Sequence, residues 1–288
     1  MKYLENAFKF LGKFFLLLIP LFVATAIPSI ISGPSNNTLQ AQLNEIRNAL
    51  IKDPTMIQST SDFFELYGTL ASALPFMLLV GLISIILGLI ARPATYGMVN
   101  KALDTGNADL SDFLPELGNN IGKYILMVLA SIGIYLGIGI AAAIIFAIFV
   151  GLMAVSKVLG IVLMILFAIA LIIGLLVFSY LTVLWFPAMV SDNLGVFDGL
   201  KKSISVAKSY FWPIVGISIL VAIGSGIVSA ILGLFQNIPV IGPILLSAFA
   251  VLVEFIMIVF YFEVYRDKTG KNDDMNGDLS FEVPGDYL

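Results

Sequence analysis

The sequence predicts an all-α, polytopic integral membrane protein whose six transmembrane helices form three repeated units. Apolar residues make up 59% of the 288 residues, charged residues make up only 12%, and the mean hydropathy is +1.03. A soluble domain of this length cannot bury so much apolar surface, whereas a lipid bilayer covers it. Because amphipathic stretches alternate with pairs of long apolar runs, each unit is predicted to be an interfacial helix plus a helical hairpin.

Three amphipathic stretches carry apolar residues at the spacing of a helix. In each of them an apolar stripe with charged neighbours leads into two long apolar runs, as expected for a helix lying in a membrane interface. The three stripes consist of Leu4, Ala7, Phe8, Leu11 and Phe15, of Leu110, Phe113, Leu114, Leu117 and Ile121, and of Phe197, Leu200, Ile204 and Ala207.

Six apolar runs are long enough to cross a bilayer, which requires roughly 20 apolar residues for each helix. The third and fourth runs exceed this length and are expected to tilt or to project from the membrane. Only Ser156 and Lys157 separate these two runs, so they form a tight hairpin with Lys157 extending outward. The predicted spans are residues 13–31, 71–91, 124–155, 158–186, 210–235 and 243–265.

The basic residues predict the orientation of the spans. Of the 15 Lys and Arg residues, 12 fall on the side that carries both termini, and only Arg47, Lys52 and Lys157 fall on the other side. The positive-inside rule then places both termini in the cytoplasm of a prokaryotic cell, with the spans in its plasma membrane. Trp185 and Trp212 fall at the cytoplasmic ends of spans four and five, where an aromatic belt is expected.

Residues 1–270 are predicted to form one transmembrane domain with a single large outer loop at residues 33–70. This loop is interpreted either as a lid over an outward-facing site or as a packed helical hairpin that covers the bundle. Residues 271–288 are acidic and lack periodicity, so they are expected to be a disordered cytoplasmic tail. An alternative for the first span is a secretory signal peptide with a cleavage site at Ala24-Thr25-Ala26.

The composition excludes several classes of chemistry. The chain has neither Cys nor His, so it cannot build a disulfide, a Cys/His zinc site or a catalytic triad that uses His. The small net charge of −4 argues against nucleic-acid binding. No paired carboxylates at a useful spacing, phosphate-binding loop or metal-ligand cluster stands out. The chain is therefore expected not to be an enzyme, and no cofactor or metal site is predicted.

Glu254 is the sharpest single feature, because it lies near the middle of the sixth apolar run. A charged residue at the bilayer centre costs about 2.5–3.5 kcal/mol on insertion scales. Ser247 and Tyr261 lie seven residues to either side and share its helix face, so the three form a candidate intramembrane polar site directed into the bundle. No Lys or Arg is predicted at mid-span to pair with Glu254. It is therefore predicted to be neutral, hydrated in a cavity or bound to a cation, either in a transport path or as a structural group.

A second set of candidates consists of basic residues next to the apolar runs. Arg92 precedes Pro93 at the predicted end of span two, and it is expected either to anchor the helix at the interface or to bind a lipid headgroup. Lys201, Lys202 and Lys208 on the third amphipathic stretch are predicted to contact anionic lipid headgroups. Glycines within spans three and five, including Gly133 and Gly137, are expected at close helix–helix contacts.

From roughly residue 71 to residue 266 the chain resembles a family of prokaryotic membrane proteins related to the membrane domain fused to some glycerophosphodiester phosphodiesterases. The stretches that carry the resemblance are residues 186–190, 195–203, 238–242 and 261–266. The resemblance implies a membrane domain without agreed catalytic residues. The phosphodiesterase domain itself has no counterpart in this chain, which lacks the His residues that such a domain requires.

The leading interpretation is a non-enzymatic membrane protein that binds, organises or moves lipid or a small amphiphile. The alternative is a secondary transporter or channel that uses Glu254, and an intramembrane hydrolase is a third possibility. The expected partners are membrane lipids together with a small amphiphile or a cation. The sequence leaves the ligand, the coupling ion and the oligomeric state open.

Overall fold

The computed structural model describes residues 2–52, 60–236 and 238–271, and within these ranges the chain is helical with no strands. Three short 3₁₀ segments, Phe15–Leu18, Leu110–Asp112 and Gly233–Phe235, lie between or before the α-helices. The α-helices are α1 (Lys2–Phe14), α2 (Ile19–Lys52), α3 (Thr60–Thr105), α4 (Phe113–Leu152), α5 (Lys157–Thr182), α6 (Trp185–Ser191), α7 (Val196–Ser209), α8 (Phe211–Leu232) and α9 (Ile241–Lys268).

Six helical segments of the described chain are long and apolar enough to cross a membrane, which confirms the predicted number of spans. These segments are Lys2–Gly33, Leu74–Thr105, Leu110–Leu152, Lys157–Ser191, Phe211–Phe235 and Ile241–Lys268. The orientation of the spans and the threefold repeat stay predictions.

Several helices are longer than the apolar runs indicated. Helix α2 continues to Lys52 through much of the predicted outer loop, and α4 extends over 40 residues without a break after Ile121. The second amphipathic stretch is therefore the start of a span, not a separate interfacial helix. Asp109 caps the N-terminus of the Leu110–Asp112 turn that leads into α4, because its side chain accepts a hydrogen bond from the Ser111 backbone N–H at 2.7 Å. Residues 53–59 and the tail from residue 272 lie outside the described residues.

The dense part of the core lies at one end of the bundle, where α1, α6, α7 and the last turns of α3 and α9 meet. We call this the basic end. Helices α1 and α2 pack against α9, and Phe255, Phe260 and Tyr265 of α9 are fully buried there. Leu17 and Leu21, which precede the predicted cleavage site, belong to the same core.

The opposite end of the bundle contains the α4–α5 turn and the α8–α9 connection, and we call it the hairpin end. Helices α4, α5 and α8 bury few of their residues: Asn120 and Ala142 in α4, Gly160 in α5 and Ile214 in α8. Many of their other side chains are exposed and apolar, as contact with lipid tails requires. The bundle is therefore tightly packed at the basic end and openly packed towards the hairpin end.

Charged contacts join several helices at the basic end. Arg266 of α9 is buried and forms an ion pair with Asp104 of α3. The Tyr265 hydroxyl donates to Asp192 at 2.6 Å, and Lys271 lies 2.6 Å from the same carboxylate. Burial alone would raise the pKa of Asp192, but the hydrogen bonds from Lys271 and Tyr265 hold this pKa below its usual range.

Close helix contacts occur at glycines other than those predicted. A Cβ atom at Gly97 would collide with Glu116 and Asn120 of α4, and one at Gly199 would lie 2.5 Å from Met189. No atom lies within 4 Å of a Cβ built at Gly133 or Gly137. The prediction that these two glycines mark a close contact is therefore wrong for the described part of the chain, because α4 turns that face outward.

The two tryptophans have different environments. Trp212 is 77% exposed at the start of α8, as expected for an aromatic belt. Trp185 is buried, and its indole N–H donates to the Val196 carbonyl at 2.7 Å. Trp185 thus joins α6 to α7 instead of lying in the belt.

Candidate functional site

The candidate site is built on an ion pair between Arg92 of α3 and Glu254 of α9. The Nε atom of Arg92 donates to Oε1 of Glu254 at 2.9 Å. The expectation that Glu254 has no basic partner is therefore wrong. That expectation depended on Pro93 ending span two, but α3 continues through Pro93 to Thr105.

Tertiary packing explains why the helix continues through this proline. A proline removes one backbone hydrogen bond, and its cost is offset where the following turn is well packed. Ala94, Thr95 and Met98 are all fully buried. Arg92 is consequently held 13 residues before the end of α3, and Glu254 lies 14 residues before the end of α9.

The ion pair is accessible although its neighbours are buried. The side chains of Arg92 and Glu254 are 47% and 32% exposed, whereas Ala91 and Phe255 beside them in sequence are almost completely buried. Pairing offsets the cost of a charge within a membrane helix, and contact with a cleft reduces that cost further. The protein thus presents one cation and one anion at a fixed position.

The first cleft next to the pair lies between α3, α4, α5 and α6 and has a volume of about 260 Å³. We call it the tyrosine cleft. Its walls combine hydroxyl-bearing residues with apolar side chains. Besides Arg92 and Glu254, it is lined by Tyr96, Tyr124, Tyr135, Ser131, Thr182, Met127, Ile134, Phe178, Val183, Trp185 and Phe186.

The second cleft lies on the α2 side of α3 and has a volume of about 350 Å³. We call it the serine cleft. It also ends on the ion pair, so the two clefts share one charged floor. Its other lining residues are Leu21, Ala24, Thr25, Pro28, Ser29, Ser84, Ile85 and Gly88.

Both clefts extend from the ion pair towards the hairpin end. In the serine cleft the lining residues continue from Arg92 back to Ser84, eight residues or about 12 Å along α3. In the tyrosine cleft they continue from Tyr124 to Tyr135, about 16 Å along α4.

Packed aromatic rings close the tyrosine cleft towards the basic end. The Tyr96 ring lies 4.9 Å from that of Phe186 and 5.7 Å from that of Phe262, measured between ring centroids. On the side of the tyrosine cleft, the floor is therefore backed by a packed core.

Of the predicted polar stripe on α9, formed by Ser247, Glu254 and Tyr261, only one residue lines the two clefts. Ser247 is buried and Tyr261 is half-buried, so both lie on the inner face of α9. Neither lines the two clefts, and Tyr261 packs against Phe260 at 5.6 Å between ring centroids. Of the three residues, only Glu254 belongs to the site described here.

The predicted headgroup contacts separate into two groups. Arg92 lies in the clefts, whereas Lys201, Lys202 and Lys208 lie exposed on α7 at the basic end. Lys201 is 3.9 Å from Asp198, and Lys208 lines a shallow groove of about 400 Å³ beside Trp212. These lysines are accessible and are not part of the charged floor, and their contact with lipid headgroups stays a prediction.

The charged groups of the site are one cation and one anion. Within the described ranges, no group of three or more Asp and Glu side chains converges to hold a metal ion. Tyr96, Tyr124 and Ser84 line the clefts but are not among the candidate residues predicted from the sequence. Hydroxyl-bearing residues inside apolar runs were the available signal, since such residues in a span often face a cavity or another helix.

One family model matches the chain, and it is described as a domain of unknown function (DUF7847). It covers residues 54–266 and so includes Arg92, Glu254 and the whole lining of the tyrosine cleft. No curated protein matches the chain, and neither does any solved structure. The resemblance to the glycerophosphodiester phosphodiesterase membrane domain stays a prediction.

Proposed function

We propose that this chain, which belongs to the DUF7847 family of unknown function, is a non-enzymatic membrane protein that binds an amphiphile. The polar head of this ligand would lie at Arg92 and Glu254, and its apolar part would extend along a cleft. One observation carries the proposal: an accessible ion pair forms the shared floor of two clefts with partly apolar walls.

The lining of the clefts supports this class of ligand. Binding sites for small molecules are commonly apolar concavities with a few fixed polar groups that orient the ligand. Met127 and Ile134 supply apolar wall in the tyrosine cleft, and Leu21 and Ile85 do so in the serine cleft. A molecule with a charged head and an apolar tail matches both kinds of surface at once.

The same geometry favours binding over ion transport through Glu254. Transport requires a route beyond the ion pair, and on the tyrosine-cleft side the packed rings of Tyr96, Phe186 and Phe262 fill that direction. The basic residues favour the predicted orientation, with the basic end in the cytoplasm. The clefts then open away from the cytoplasmic end, along the lipid tails.

Occluding the clefts tests the proposal without changing a charge. Gly88→Leu should fill the serine cleft beside Arg92, and Ser131→Leu should fill the tyrosine cleft. The matched control is Gly133→Leu, on the same helix as Ser131 but with open space around it. Native mass spectrometry of each purified protein after incubation with a mixed phospholipid extract would count the lipids retained.

We expect the wild type and Gly133→Leu to retain lipid, and at least one cleft variant to lose most of it. Equal retention by all four proteins would contradict the proposal. Cation uptake into vesicles that disappears in Glu254→Gln, with lipid retention unaffected by the cleft variants, would instead support the transport interpretation.

A further inference from the structure

We infer that the head of the bound amphiphile is zwitterionic and carries a phosphodiester and a primary ammonium group. This inference rests on the proposed function and specifies its ligand. The phosphate would bind Arg92, and the ammonium would bind Glu254.

The charge balance of the floor is the first argument. Arg92 and Glu254 are the only charged side chains among the described residues that line either cleft. A purely anionic head bound to Arg92 would lie against the Glu254 carboxylate, and a purely cationic head would lie against the guanidinium. Like charges brought together without a partner are strongly unfavourable at a partly desolvated site. A head that carries both charges satisfies both residues.

The atoms outside the ion pair provide the second argument. The contact joins Nε of Arg92 to Oε1 of Glu254, so the two terminal guanidinium nitrogens and Oε2 lie outside the ion pair. The guanidinium also interacts with the Tyr124 hydroxyl in the tyrosine cleft, so a phosphate on Arg92 would lie beside that hydroxyl. Terminal guanidinium N–H groups suit a phosphate, which accepts paired hydrogen bonds from arginine. The remaining carboxylate oxygen accepts a hydrogen bond from an ammonium N–H.

The aromatic residues favour a primary ammonium over a quaternary one. A quaternary ammonium donates no hydrogen bond and is held by the open faces of several rings. Here the rings of Tyr96 and Tyr124 each lie 4.9 Å from the Phe186 ring in edge-to-face contact. These rings pack against one another and do not form an open cage.

The level of the pair relative to the lipid-facing surface is the third argument. On α3 the large exposed apolar side chains extend from Leu74 to Ile86, and none is found between Arg92 and Thr105. Arg92 thus lies where α3 passes from the lipid-facing surface into the buried core of the basic end. The chains of a lipid whose head lies there would run towards the hairpin end, along the direction of both clefts.

The number of clefts is consistent with a lipid that has two chains. The tyrosine cleft and the serine cleft meet only at the floor formed by Arg92 and Glu254. One head on that floor would direct one chain into each cleft.

The test compares three phospholipids with identical acyl chains: phosphatidylethanolamine, phosphatidylcholine and phosphatidylglycerol. Delipidated full-length protein is incubated with an equal mixture, and bound lipids are quantified by native mass spectrometry. Loss of one charged hydrogen bond should reduce affinity by about tenfold. We therefore expect the wild type to retain phosphatidylethanolamine about tenfold better than either other lipid.

Glu254→Gln should abolish this preference for the ammonium-bearing head and raise the relative retention of phosphatidylglycerol. The matched control is Glu5→Gln, which breaks an ion pair with Lys9 of the same 2.9 Å length outside the clefts. This control should keep the wild-type preference. The wild-type comparison remains decisive if Glu254→Gln does not fold.

The outcomes separate this inference from the proposed function. Equal retention of the three lipids by the wild type, together with loss in the cleft variants, would overturn the inference and leave amphiphile binding intact. A preference for phosphatidylglycerol or phosphatidylcholine would overturn it as well. Lipid retention that no cleft variant changes would contradict the proposed function itself.

Discussion

The contact between Arg92 and Glu254 should contribute measurably to the stability of the bundle. Breaking a fully buried ion pair costs about 3–5 kcal/mol, whereas an exposed pair contributes about 0–1 kcal/mol. With side chains 47% and 32% exposed, this pair lies between the two limits. We expect Arg92→Gln and Glu254→Gln each to reduce the free energy of unfolding by about 1–2 kcal/mol.

A double-mutant cycle isolates the interaction itself. Because the second substitution removes a charge that the first has left unpaired, Arg92→Gln/Glu254→Gln should be no less stable than the worse single variant. Unfolding by SDS in mixed micelles, followed by tryptophan fluorescence, gives the free energies. The exposed Glu5–Lys9 pair, which also measures 2.9 Å, should show a smaller coupling energy in the same assay.

Additive effects, with a coupling energy below about 0.5 kcal/mol, would show that the two side chains do not stabilise each other. Such a result would mean that the two side chains are separately solvated in the membrane. A coupling energy above about 3 kcal/mol would mean that the pair is desolvated, and the clefts would then be too dry to receive a charged head.

Three further predictions concern topology, packing and pH. Val155→Cys at the α4–α5 turn should react with a membrane-impermeant maleimide added to whole cells, and Ser205→Cys on α7 should not; the reverse pattern would invert the proposed orientation. Gly97→Ala should reduce the free energy of unfolding by about 1–3 kcal/mol, because the added methyl group would push α4 away from α3. The control Gly133→Ala should be nearly neutral, since nothing lies close to that position. Equal effects of the two substitutions would show that α3 and α4 are not in close contact at Gly97. Asp192→Asn should destabilise the protein at pH 7, since the pKa of Asp192 is lower in the folded state than its unfolded value of about 3.9. The stabilising contribution of Asp192 is present above that value and is lost as pH falls below it. The free energies of unfolding of wild type and Asp192→Asn should therefore converge under acid conditions. A difference in stability that persists there would exclude ionisation of Asp192 as its cause.

The parts of the fold that depend on local pattern could be predicted from the sequence. The six apolar runs correspond to six long helices, and the stripes on α1 and α7 are found on separate amphipathic helices. These features depend only on the hydropathy and spacing of neighbouring residues. They require no knowledge of which helices touch.

The candidate site could be predicted only in part, because it depends on contacts between distant helices. Glu254 was identified from its position in a span, but its partner Arg92 is 162 residues away in the sequence. Local rules ended span two at Pro93, and the packing of the residues that follow overrides those rules. Likewise, nothing local distinguishes Gly97, which contacts α4, from Gly133, which faces outward.

The contrast between the two ends of the bundle has a consequence for selectivity. The charged floor is backed by fully buried side chains such as Phe255 and Met98, so its geometry is stiff. The walls further along α4 and α5 bury few of their side chains in protein, so protein packing constrains them less than it constrains the floor. A binding site with a rigid charged floor and flexible cleft walls would discriminate strictly between ligand heads. It would also accept acyl chains of many lengths and degrees of unsaturation. Such a protein would keep its ligand while the acyl composition of the membrane changes with temperature.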